Sequence, residues 1–91
     1  MTDKIHEAIV RGDRAKSLLN DELLKESLSA LEASYIEAWR FTHARDTDAR
    51  ERLWQAVHVV SKVRDHLAKV ASGGAIARAE LDQLIEREKR Q

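Results

Sequence analysis

No proline interrupts this chain, and only three glycines, Gly12, Gly73 and Gly74, stand ready to break a helix. A helix interior tolerates proline least and glycine next. Long helices are therefore the expected state almost everywhere, and the apolar residues recur at helical spacing. The reading is all-α: an antiparallel helical hairpin with additional N- and C-terminal helices, forming a single domain over residues 1–91.

The first helix is expected from about Thr2 to Leu19, with Ile5, Ala8, Ile9, Gly12 and Leu19 on one face and a break near Gly12-Asp13 allowed by the glycine. A second helix should start at Asn20 or Asp21, both good N-cap residues, and run to about Thr42. Its seam is Leu24, Leu28, Leu31, Tyr35, Ala38 and Thr42, with Ser27, Ala30 and Ser34 as a small-residue shoulder and Ile36 on the opposite, mostly polar face. After the loop His43-Ala44-Arg45-Asp46, a third helix capped by Asp46 or Thr47 runs to about Ser72. Its apolar arc, from Leu53 to Ala71, is about 160° wide, more than one neighbour needs. Arg64 falls inside that arc and requires an acidic partner or an exit to solvent. The hairpin thus spans about 21–72. Gly73-Gly74 is expected to end the third helix in a left-handed cap, leaving a final helix over about 75–89.

All four aromatics, Tyr35, Trp39, Phe41 and Trp54, fall near the hairpin tip. The simplest reading makes them its local core; the sharper one makes Trp54, which lies off the main arc, a contact anchor.

Several function classes are disfavoured by the residues present. There are no cysteines, so neither disulfides nor thiolate chemistry can operate. No apolar run suffices to span a bilayer, and the N-terminus lacks a signal-peptide hydrophobic region, so synthesis in the cytoplasm and no membrane partner are expected. His58 and His66 are eight residues apart on one helix, about 12 Å along the axis and too far for one metal ion. His43 near Asp46 and Asp48 is better read as solvated. No phosphate-cradling loop and no nucleophile-base pair can be read. The expectation is no catalytic residue, no cofactor, no metal and no small-molecule substrate.

Sixteen basic residues balance sixteen acidic ones, removing the usual footprint of a nucleic-acid binder. Arg45, Arg50 and Arg52 do cluster near the start of the third helix. Asp46-Arg50 and Asp48-Arg52 have i,i+4 spacing, however, and are expected to form a solvated ion-pair face.

The string Tyr35-Ile36-Glu37-Ala38-Trp39-Arg40, Arg45-Asp46, Arg50-Glu51-Arg52-Leu53-Trp54, Lys62-Val63-Arg64-Asp65-His66-Leu67, then the glycines and Ile76-Ala77, resembles short helical proteins encoded by tailed bacteriophages and prophages of proteobacteria. The resemblance covers about Leu18 to Leu81. It implies a phage context inside a host bacterial cytoplasm, with incorporation in the virion as one destination, and brings no catalytic residue with it.

Two functions fit that context. One is a structural or assembly protein acting through contacts with itself and with another phage protein. The alternative is a small terminase subunit recognising DNA for packaging, with Arg45, Arg50 and Arg52 as its nucleic-acid contacts. Inhibition of a host bacterial protein is a third class. The expected protein interface comprises Ile36, Trp54, Val59, Val63, Val70, Leu81, Leu84 and Ile85, because a single hairpin cannot cover these side chains. Closed homo-oligomeric symmetry is the simplest way to cover them.

Overall fold

The computed structural model describes residues 2–90, and every regular element among them is helical: α1 (Thr2–Leu19), α2 (Glu22–Arg40) and α3 (Thr47–Arg90). The chain divides into two compact units: α1 with α3 from His66 onward (unit 1), and residues 21–65 (unit 2).

The starts of α2 and α3 have visible causes. Asp21 adopts extended backbone angles and its carboxylate accepts from the Leu24 N–H at 2.8 Å, satisfying a donor that the first turn of α2 leaves free. Asp46 does the same for α3, accepting from the Ala49 N–H at 3.2 Å. At the end of α2, Phe41 stays in the right-handed region, its N–H bonded back to the Ala38 carbonyl at 3.2 Å, and the Thr42 hydroxyl donates to the Trp39 carbonyl at 2.6 Å.

The expected end of the third helix at Gly73-Gly74 does not occur. α3 runs through both glycines for 44 residues, a contour of about 66 Å, so no separate final helix over 75–89 exists. A left-handed cap needs positive φ, and no glycine here has it. The helix continues because Gly74 is packed. A Cβ built on Gly12 would lie 2.5 Å from the Gly74 Cα and 3.3 Å from the Val70 carbonyl oxygen. One built on Gly74 would lie 2.6 Å from the Gly12 Cα and 3.0 Å from the Ala8 carbonyl oxygen. In unit 1, then, the backbones of α1 and α3 meet directly, which only glycine permits. The helix break allowed near Gly12-Asp13 is absent for the same reason.

Around this crossing Ile9, Gly12, Ala15, Gly74 and Ala77 are buried, and Arg78 reaches Asp13 at 3.1 Å. In unit 2 Val60 is the only buried apolar residue, and α2 buries none. Leu24, Leu28 and Tyr35 are half-buried as the seam requires, but Leu31 is 46% exposed and Glu32 takes the inward place instead. Arg64 of α3 demands this: its guanidinium donates to the Glu32 carboxylate at 2.7 Å and to the Ser29 hydroxyl at 3.4 Å. The acidic partner required by an arginine inside an apolar arc is thus supplied by α2.

Candidate protein interface

Unit 2 carries an apolar groove of about 230 Å³, lined by Ile36, Trp39, Leu53, Trp54 and Val57. Ile36 and Trp39 lie three residues apart on α2; Leu53, Trp54 and Val57 fall on adjacent turns of α3. The indole of Trp54 is stacked on the His58 ring, with centroids 4.4 Å apart and planes 23° from parallel. The Arg50 guanidinium lies 4.1 Å from the centre of the Trp39 ring and donates to the Thr42 hydroxyl at 2.9 Å.

These positions change two readings of the sequence. The aromatics are not a closed core: Trp39 is 41%, Trp54 58% and Phe41 82% exposed. The reason is geometric. One pair of helices supplies two walls, and Trp39 and Trp54 stand on the rim of the groove between them. Ile36 is likewise not isolated on a polar face but forms part of that groove. Leu53, Val57 and Trp39 complete a site that sequence spacing had assigned to the hairpin core. The i,i+3 step from Ile36 to Trp39, matched by that from Trp54 to Val57, was the available signal.

Beyond the groove, Val59 and Val63 on α3 are exposed in unit 2, and Trp54 belongs to the groove itself. In unit 1, Val70 and Leu81 are half-buried while Leu84 and Ile85 are exposed. The chain matches no protein-family model, no curated protein and no solved structure.

The three arginines considered for nucleic acid have different surroundings. Arg45 and Arg52 are exposed, whereas Arg50 is half-buried and held by Trp39 and Thr42. Neither i,i+4 pair, Asp46-Arg50 nor Asp48-Arg52, is among the ion pairs of the described residues. Asp46 is engaged in capping, and Arg50 turns towards the indole, where a planar cation over an aromatic face gains about 0.5–2 kcal/mol. Among the described residues no group of three or more metal-ligating side chains converges, and no helix is long and apolar enough to cross a membrane.

Proposed function

We propose that this chain is a non-enzymatic assembly protein that works by self-association through exposed apolar helix faces. One observation carries the reading. Among the described residues the buried apolar ones are Ile9, Ala15, Val60 and Ala77, while thirteen large apolar side chains stay exposed, from Val10 to Ile85. Covering each large side chain gains about 1.5–3 kcal/mol, comparable with much of the net stability of a domain this small. Helix-on-helix contact between copies covers them without new structure.

We read unit 2 as an antiparallel hairpin. Thr42 meets Arg50 near the connection, and Glu32 meets Arg64 farther along, so α2 positions fall as α3 positions rise. Ile36, Trp54, Val59 and Val63 belong to its outward surface; in unit 1, Val70, Leu81, Leu84 and Ile85 are separate interface candidates. With the resemblance to short phage proteins, we take the assembly to be part of building a phage particle, with another phage protein as a second partner.

Light scattering on the purified chain tests the self-association. A species well above the 10.4 kDa of one chain is expected at roughly 0.1 mM. Mass spectrometry of purified particles tests the context. A chain that stays monomeric at high concentration would sink the reading.

A further inference from the structure

Unit 1 holds a second surface that the groove at Trp39 and Trp54 does not explain. Two adjoining hollows of about 320 and 190 Å³ lie between α1 and α3 and share Arg11, His66 and Val70. Their apolar floor is Ala8, Ala15, Leu18, Leu67 and Val70, and their polar walls are Arg11, Arg14, His66 and Lys69. No acidic side chain lines either one. Arg11, Arg14 and Lys69 enter none of the ion pairs among the described residues. Gly73 lines the first hollow, and a Cβ built there would meet nothing within 4 Å. Unlike Gly12 and Gly74, it answers to no contact inside the chain. It leaves a stretch of α3 open to close approach.

A basic wall over an apolar floor suits an acidic amphipathic helix better than a phosphate backbone. A polyanion would satisfy the arginines but leave Leu18, 47% exposed, and the floor wet. The chain itself carries such a helix. α2 buries no residue, and its outer side presents Leu23, 71% exposed, flanked by exposed Glu22 and Glu26. Glu26 enters no ion pair among the described residues, and the Glu22 contact with Lys25 is a solvated i,i+3 pair of little value. With sixteen charges of each sign there is no net charge to push identical copies apart, and matched patches of opposite sign can draw them together.

We propose that the groove between α1 and α3 of one copy receives the start of α2 of a second copy. Leu23 lies on the floor, and Glu22 and Glu26 face Arg11, Arg14 and Lys69. This rests on the self-association reading and adds a second contact to the apolar faces named there. The two surfaces differ, so the contact is heterologous: each copy offers one groove and one helix, and copies join head to tail into a ring or an open row.

Sedimentation velocity on the full chain, with circular dichroism to check helicity, tests the pairing. Reversing the groove (R11E/R14E) or the helix (E22R/E26R) should each weaken association at least tenfold. An equimolar mixture of the two variants should regain it, because each then finds its opposite. Filling the groove by Gly73→Leu should also weaken association, and raised salt should weaken the parent. Parent-like association of both charge-reversed variants would overturn the groove assignment while leaving self-association standing. Failure of the mixture to regain association would overturn it too. A parent that is monomeric throughout would instead remove the self-association reading itself. Duplex DNA binding that is lost in R11E/R14E would overturn the proposal in favour of a polyanion.

Discussion

The three glycines invite one perturbation with opposite expected signs. Glycine in a helix interior is less stable than alanine by about 0.5–1 kcal/mol, because it has more backbone freedom to lose. All three lie inside helices with ordinary negative φ, so this gain is open to each. At Gly73 the added methyl meets nothing within 4 Å, and the full gain should appear. At Gly74 it would sit 2.6 Å from the Gly12 Cα, and at Gly12 2.5 Å from the Gly74 Cα. Ordinary contact begins about 1 Å farther out, and the obstructing atoms are backbone, so a helix must move. Overpacking of this kind costs about 1–3 kcal/mol, more than the helix gain. Gly73→Ala should therefore raise the melting temperature by about 3–6 °C in a chain of this size, and Gly74→Ala and Gly12→Ala should lower it. Thermal unfolding followed by circular dichroism at one fixed concentration reads the difference. Equal stabilisation at Gly73 and Gly74 would refute the close crossing of α1 and α3.

Four further changes probe unit 2. Val60→Ala removes its one buried apolar side chain and should cost about 1.5–3 kcal/mol, whereas Leu31→Ala, at a half-exposed position, should cost less than 1 kcal/mol in denaturant titration. A double-mutant cycle on Arg64 and Glu32, whose side chains are 34% and 33% exposed, should give a coupling of about 0.5–1 kcal/mol; no coupling would mean that the 2.7 Å contact does not form. Asp21→Ala should cost about 1 kcal/mol through loss of the cap on Leu24, with Asp21→Asn close to neutral. Arg50→Glu should destabilise by about 1 kcal/mol or more while Arg52→Glu stays within about 0.5 kcal/mol, because only Arg50 is engaged with Trp39 and Thr42.

Helix starts were legible because the caps are local chemistry. A carboxylate at Asp21 or Asp46 can satisfy its free N–H donors whatever the rest of the chain does. The continuation through Gly73-Gly74 was not legible, because it is decided at a distance. The pair reads as a stop in isolation, but the second glycine is held in helical geometry by Gly12, more than sixty residues earlier. Placing Gly12 on the apolar face with Ala8 and Ile9 already set one half of that crossing, though spacing within α1 gives no sign of its partner. That Arg64 needs an acidic partner or an exit to solvent was legible from its place in the arc; that Glu32 would displace Leu31 from the seam to meet it was not.

The same division runs through the candidate interface. Sequence spacing marks an apolar arc wider than one neighbour's footprint, and of the side chains it left over Ile36, Trp54, Val59, Val63, Leu84 and Ile85 are exposed while Val70 and Leu81 are half-buried. It does not tell a local core from a groove. Whether the aromatics near the α2–α3 connection close upon one another depends on a third wall, and residues 41–46 supply none: Phe41 itself points away and is the most exposed of the large apolar side chains. With two walls only, Trp39 and Trp54 remain on a rim and Ile36 joins them. Gly73 sharpens the point. Gly12 and Gly74 are accounted for by each other, so their cost to the helices is offset by packing inside the chain. Gly73 carries the same cost with no contact in return, and it lines a hollow with Arg11 and Lys69, which enter no ion pair among the described residues. Under the proposed pairing, that combination lets the helix of a second copy approach α3 closely.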